Sequence, residues 1–194
     1  GYVNTYQSIY SNIHSLAPAH QLIFKDGKIS VKRYYSIPRK DRMINLSEAK
    51  EEFTFLLKKA VEKQIVADVE VGSFLSGGLD SSSIVALVNE FLPSQTTISF
   101  GYDHASSELK FAREIAEKYG TNHIEIHEEK KDLAAMLRKV SPFLDEPFAD
   151  RSYLPQYEIC RRAKENLTVV LSGDAGDELF GGYSFYRTEF QLKN

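Results

Sequence analysis

From residue 69 onward, short β-branched runs alternate with helical stretches, and this alternation restricts the chain more than any other feature. Residues 69–75 and 96–100 read as strands, "HIEIH" (123–127) as an alternating strand, and "LTVVLS" (167–172) as a buried strand. Between them, residues 81–91, 107–119, 133–140 and 152–164 read as helices. In residues 107–119, Leu109, Ala112, Ile115, Ala116 and Tyr119 fall on one face, and Gly120 follows as a stop. Such alternation predicts an α/β fold: a twisted parallel sheet with helices on both faces. Ligands of these sheets bind at the carboxyl ends of the strands. Polar clusters that directly follow a predicted strand are therefore the first places to search for chemistry.

The first 45 residues follow a different pattern. "QLIFKDGKISVKRYY" predicts a β-hairpin turned at Asp26-Gly27, with Leu22, Phe24, Ile29 and Val31 alternating with polar neighbours. "YSIPRKDRMIN" reads as an irregular linker. A helix is expected from Ser47, capped by its hydroxyl, with Phe53, Leu56, Leu57, Ala60, Val61 and Ile65 on one face.

One polar cluster is "LSGGLDSS", between the predicted strand at 69–75 and the helix that follows. Gly77 and Gly78 allow a tight turn and the close approach of a ligand. The helix's first N–H groups have no partner within the helix and carry part of the helix dipole, which makes an anion site. Ser76, Ser81 and Ser82 add hydroxyl donors. No G-x-x-x-x-G-K-[ST] loop occurs, so the lysine that grips β- and γ-phosphates is missing and γ-phosphoryl transfer is disfavoured. A carboxylate beside phosphates repels them unless a cation lies between, and Mg²⁺ commonly binds one or two carboxylates plus phosphate oxygens. Asp80 is thus a candidate Mg²⁺ ligand. The competing reading is a plain strand-to-helix turn in which Asp80 or Ser81 caps the helix.

The second cluster, "TVVLSGDAGDELFGGY" (168–183), repeats the pattern. Ser172-Gly173 ends a strand, and Asp174, Asp177 and Glu178 follow within five positions. Three carboxylates so close need a metal or a basic partner, or they form a solvated acidic turn. Their spacing is not that of an EF-hand.

"SGGLDSS" resembles the pyrophosphate loop of the ATP-pyrophosphatase, or adenine nucleotide α-hydrolase-like, superfamily, whose fold is Rossmann-like. "LSGDAGDELFGGY", with "DEPFADRSYLPQYEICRRAKENLTVV" before it, resembles the synthetase domain of the glutamine-hydrolysing asparagine synthetase family. "SIYSNIHSLAPAHQLIFKDGKISVKRYYSIP" is similar to the end of that family's glutaminase domain and the linker after it. The resemblance implies two domains: residues 1–45 as the end of a glutaminase domain with its linker, and 46–194 as the N-terminal part of a synthetase domain.

It also implies a reaction. ATP activates the aspartate side chain as β-aspartyl-AMP with release of pyrophosphate, and ammonia from glutamine then displaces AMP. By position, Ser76, Gly77, Gly78, Asp80, Ser81 and Ser82 match the pyrophosphate and Mg²⁺ loop. Phe74 and Phe100 match positions whose backbone meets adenine, and Ser172 and Gly173 match nucleotide contacts. Asp177 matches a metal carboxylate. Asp174 matches the acidic catalytic position, where some members have glutamate. The implied ligands are ATP, Mg²⁺, aspartate and ammonia, the implied partner is the rest of the glutaminase domain, and a homodimer is possible.

Two departures stand out. The chain starts at Gly1 without the family's N-terminal nucleophilic cysteine, and it ends at Asn194, before the family's C-terminal catalytic lysine. It therefore reads as a fragment, expected to be inactive by itself. Its single cysteine, Cys160, is expected to be a buried small residue. His123, Glu125 and His127 share a strand face, expected to be the exposed one rather than a metal site. "EEKKD" (128–132) reads as a solvated turn. The net charge of −3 offers nothing to nucleic acid or an anionic membrane. No apolar run is long enough to span a bilayer. A lone cysteine fits a reducing, cytoplasmic setting. Three functions stay open: an aspartate-amidating ligase; a relative that adenylates another acid, such as a β-lactam synthetase or biosynthetic amidotransferase; and a non-catalytic nucleotide-binding piece.

Overall fold

The computed structural model describes residues 7–37, 43–101, 107–127, 133–150, 152–186 and 188. "EEKKD" and the middle of the expected linker lie outside the described residues. The chain divides into two compact units, residues 1–45 with 132–155, and residues 46–131 with 156–194.

In the first unit, β1 (His20–Lys25) and β2 (Lys28–Arg33) form the expected antiparallel hairpin. Asp26 (φ 51°) and Gly27 (φ 73°) both take left-handed angles. A two-residue turn of that kind matches the twist of the strands it joins. Leu22 pairs with Val31 and Phe24 with Ile29, so the alternation puts all four on one face. They are at least half exposed. The unit also holds α4 (Leu133–Val140), with Met136 and Val140 buried, and a 3₁₀ turn at Ser141–Phe143 around Pro142.

The second unit is built on β3 (Val71–Phe74), β4 (Thr96–Gly101), β5 (Asn122–His127) and β6 (Val169–Leu171). They form one parallel sheet in the order β5-β4-β3-β6. Chain travel runs β3 to β4 to β5, through α2 (Leu79–Phe91) and α3 (Ser107–Tyr119), then returns past β3 to β6 through α5 (Tyr153–Ala163). Right-handed crossovers put connections that travel in opposite directions on opposite faces. The core agrees. Leu75, Val85, Ala112 and Ala116 form one buried cluster with Ile115 and Tyr119. Ile98, Ile126, Ala163 and Leu167 form a second, with Phe74, Phe100, Ile124, Ile159 and Val170 packed on it. The expected parallel α/β architecture with helices on both faces is thus present, and of the positions expected on the inner face of α3, Ala112, Ile115, Ala116 and Tyr119 pack in the first cluster and Leu109 is buried.

The face beneath α2 and α3 is partly polar, and one buried chain of polar groups there is satisfied internally. Ser73 Oγ donates to Gln95 Oε1 at 2.7 Å, and Gln95 Nε2 donates to the Val85 carbonyl at 2.8 Å. Buried amides and hydroxyls need such partners to avoid a desolvation penalty of about 1–3 kcal/mol each.

Some expectations need correction. α1 (Leu46–Gln64) begins one residue before Ser47, and of its expected inner face only Val61 is buried. Phe53 and Leu56 are exposed, although Phe53 meets Phe180 edge-on at 5.1 Å. Cys160 is exposed rather than buried. Ile159 and Ala163 face the sheet, and the turn per residue of an α-helix carries Cys160 off that face.

Candidate functional site

β3 and β6 are adjacent, with Val71 beside Val169, Gly72 beside Val170 and Ser73 beside Leu171. The two Ser-Gly turns therefore leave the same rim of the sheet side by side. Strand order also reverses there, because β4 and β6 flank β3 on opposite sides. A parallel sheet opens a crevice at such a switch point.

The first turn is tied together by its own hydroxyls. Ser81 Oγ accepts from the Ser76 N–H (3.2 Å), lies 2.9 Å from Ser76 Oγ, and donates to the Gly78 carbonyl (3.2 Å). The Gly78 N–H donates to Ser76 Oγ at 3.3 Å. Gly77 has φ +79°, and a Cβ there would lie 2.7 Å from both the Ala112 nitrogen and Phe111 Cβ on α3. Only glycine fits. Gly78 is the N-cap of α2 and no side chain caps the helix, so neither Asp80 nor Ser81 does the plain capping job. The Ser82 hydroxyl is buried and has no partner among the described residues.

The second turn leads into α6 (Gly176–Phe180) through Ala175, at φ 72°. Ser172 Oγ donates to Asp174 Oδ2 at 2.8 Å, which fixes that exposed carboxylate near the sheet rim. Its two glycines admit the first turn. A Cβ on Gly173 would lie 2.9 Å from Asp80 Cβ and from the Ser81 nitrogen, and one on Gly176 would lie 2.6 Å from Asp80 Cγ. Asp80 thus rests against the backbone of the opposite turn. Farther on, Tyr183 donates to Glu178 Oε1 at 2.9 Å, and this bond to a carboxylate pushes the phenol up to about 12.

Between the turns lies a cleft of about 290 Å³. Phe74, Ser76, Asp80, Ser81, Phe100, Ser172, Gly173 and Asp174, all expected from the sequence, line it. Gly77, Gly78, Ser82 and Asp177 do not; they sit in the turns and first helical turns behind it. Asp177 is half-buried in α6, and its carbonyl accepts the Gly182 N–H at 3.0 Å. Leu75, Ile98, Gln156 and Ile159 complete the lining and were not anticipated there. The three-residue spacing of Gln156 and Ile159 shows that they share a face of a helix. Which strand that face meets depends on the return crossover.

The histidine strand differs from expectation. His123, Glu125 and His127 do share a face, but α3 covers it. Arg113 forks onto both Glu125 oxygens, with Nη2 to Oε2 at 2.8 Å. That bond holds the Glu125 carboxyl below its ordinary range. Thr97 Oγ1 lies 2.9 Å from His123 Nδ1. Burial, opposed by Glu125 and aided by Arg113, pushes His123 below its ordinary value. Among the described residues no group of three or more His, Cys, Asp or Glu is placed to hold a metal ion.

The sequence profile described as Asparagine synthase matches residues 52–194. The chain belongs to the asparagine synthase family. It is 36% identical over 201 residues to a Methanocaldococcus jannaschii protein provisionally named asparagine synthetase (glutamine-hydrolyzing) 2, covering 100% of this chain and 39% of that one. It is 35% identical over 185 residues to Bacillus subtilis asparagine synthetase (glutamine-hydrolyzing) 1, covering 94% of this chain and 29% of the relative. This member of the family therefore spans less than two fifths of the length of those relatives. Among solved structures, it overlays a glutamine-dependent NAD⁺ synthetase from Acinetobacter baumannii in complex with ADP, with TM-score 0.45, 21% identity, and coverage of 79% of this chain and 30% of that one. Among the described residues no helix is long and apolar enough to cross a membrane.

Proposed function

We propose that the cleft between the two turns binds Mg-ATP and serves an amide-forming ligase that adenylates the side-chain carboxylate of aspartate. One observation carries this reading. Two Ser-Gly turns, each ending a parallel strand, line a single cleft at the switch point, with Asp80 seated against Gly173 and Gly176. The uncapped start of α2, with the Ser76 and Ser81 hydroxyls, suits a pyrophosphate group, and the unpartnered Ser82 hydroxyl would complete its donors. Phe74 and Phe100 stand on the apolar side of the cleft, where their backbone would meet a base. Ser172 and Gly173 would contact the nucleotide from the opposite turn.

With pyrophosphate held as the leaving group, a substrate carboxylate oxygen bonds to the α-phosphorus as the bond to the β-phosphate bridge breaks. Ammonia then bonds to the acyl carbon and AMP departs with the carboxylate oxygen. Asp174, oriented by Ser172, would accept the proton that ammonia sheds. Asp80, which lines the cleft, would hold Mg²⁺ to neutralise charge on the pyrophosphate, and Asp177, which does not line it and whose carboxylate lies against Gly182, would have to turn toward the cleft to add a second carboxylate. Two carboxylates are a fitting set, because Mg²⁺ completes its shell with phosphate oxygens and water. In this reading residues 1–45 are the end of a glutaminase domain with its linker, and 46–194 the start of the synthetase domain.

The complete enzyme carrying this domain is expected to support aspartate-dependent exchange between ATP and pyrophosphate. Exchange with another acid and none with aspartate would replace the substrate. Asp80→Ala is expected to weaken Mg-ATP binding by about tenfold or more in calorimetry, the size of a lost charge-assisted contact. Unchanged affinity removes Asp80 from the site.

A further inference from the structure

We propose that Gln156 reads the base edge of the nucleotide and makes the cleft selective for a 6-aminopurine, an inference that rests on the nucleotide reading above. The cleft has two unlike ends. Its rim is polar, formed by the two turns, while its wall is built from Phe74, Ile98, Phe100 and Ile159. These four belong to the apolar cluster between the sheet and α5. A flat heterocycle is buried well against such a wall, but the wall alone cannot tell one purine from another.

Among the described residues Gln156 is the only amide side chain that lines the cleft, and it stands on α5 three residues before Ile159. It is solvent-exposed. Its sole contact among the described residues is weak: Nε2 donates to Cys160 Sγ at 3.6 Å. Sulfur is a poor acceptor, so this contact orients the amide without satisfying it. Oε1 and the second N–H are left for a ligand. An amide offers one acceptor and one donor. Adenine offers the matching pair, an exocyclic N6 donor and the N7 acceptor, whereas guanine offers two acceptors, O6 and N7. An amide on an otherwise apolar wall therefore fills both its acceptor and its donor on adenine, through the 6-amino group and N7, whereas guanine's two acceptors can take only its donor.

The test compares Mg-ATP with the triphosphate of purine riboside, which lacks only the 6-amino group, by calorimetry on the full chain. The wild type is expected to prefer ATP by about five- to tenfold, the size of one neutral hydrogen bond. Gln156→Leu is expected to bring that ratio to about one while leaving the affinity for Mg-pyrophosphate unchanged. Gln156→Asn, whose shorter side chain draws the amide back, is expected to fall between. A preference that survives in Gln156→Leu overturns the proposal. So does a wild type that binds both triphosphates equally, and that result leaves the nucleotide reading intact. A wild type that binds neither Mg-ATP nor Mg-pyrophosphate overturns the nucleotide reading, and this inference with it.

Discussion

The two turns that meet at the rim look alike in sequence and are held in opposite ways. The first is built in. Its serines bond to one another and to its own backbone, Ser81 is buried, and Gly77 presses on α3 from behind. The second is laid on. Asp174 and Ala175 are exposed, α6 is five residues long, and the link between them runs through a non-glycine residue at φ 72°. A preorganised cradle for a leaving group needs fixed donors. A carboxylate that moves a proton needs access and a specific orientation, which Ser172 supplies to Asp174 at 2.8 Å. Under the proposed function, the difference is a division of labour, with the first turn binding and the second reacting.

The sharpest way to break this comparison is Gly77→Ala. The substitution forces an L side chain into a left-handed conformation and places its Cβ 2.7 Å from atoms of α3. Strain and overpacking together should cost about 2–4 kcal/mol, read as a lower urea midpoint at constant m-value. Gly78→Ala next door is the control. It has ordinary φ, and its Cβ would meet only Ser76 Oγ, at 3.3 Å. A similar loss at both positions would mean that the first turn is not anchored through α3.

Gly176→Ala probes the seam between the turns. The new Cβ would collide with the Asp80 carboxylate, which is the far end of a side chain and can swing away. Stability is expected to change by less than about 1 kcal/mol, while Mg-ATP affinity drops by about tenfold as Asp80 leaves its seat. If Gly176→Ala and wild type bind Mg-ATP equally, the contact between Asp80 and the second turn is packing alone.

Acid should loosen the first turn's support in particular. α3 covers His123 beside Glu125, Arg113 and His127, with Thr97 bonded to the ring. Burial lowers the folded pKa of His123 below its ordinary value of 6.5. The unfolded chain therefore takes up a proton there first, and the contribution is fully present above pH 6.5 and is lost as pH falls through the folded pKa. Glu125, lowered by Arg113, stays charged across that window. Stability is expected to decline below pH 6.5, and His123→Asn is expected to flatten the decline. An unchanged slope in His123→Asn would assign the acid sensitivity elsewhere.

The pattern in what the sequence revealed is physical. The inner face of α3 and both Ser-Gly turns were legible because the information is local: helical spacing in one case, strand-glycine-carboxylate order in the other. The Asp26-Gly27 hairpin was legible for the same reason. What failed depended on which element covers which. The histidine strand alternates as an edge strand should, yet α3 and Arg113 close over it. Cys160 has the composition of a core residue, but Ile159 and Ala163 take the sheet side of α5. Phe74 and Phe100 were legible, but Gln156 and Ile159 were not, because they reach the cleft only through the return crossover from β5 to β6, a non-local connection.

The smallest expected effect reverses the sign of the largest. Ala175 holds φ 72°, a conformation that disfavours a residue with a Cβ. Ala175→Gly relieves that strain and gives the unfolded chain more freedom in return, for a net gain of about 0.5–1 kcal/mol. The same pair of residues is thus expected to stabilise when exchanged in the laid-on turn and to destabilise when exchanged the other way in the built-in one. The functional arm matters more than the stability arm. Ala175 separates Asp174 from the Gly176 that seats Asp80, so its stiffness would couple the proposed proton acceptor to the proposed binding loop. If Ala175→Gly gains stability and keeps Mg-ATP affinity but slows aspartate-dependent pyrophosphate exchange in the complete enzyme, the strained alanine is a positioning residue for Asp174. If exchange is also unchanged, Ser172 alone orients the carboxylate.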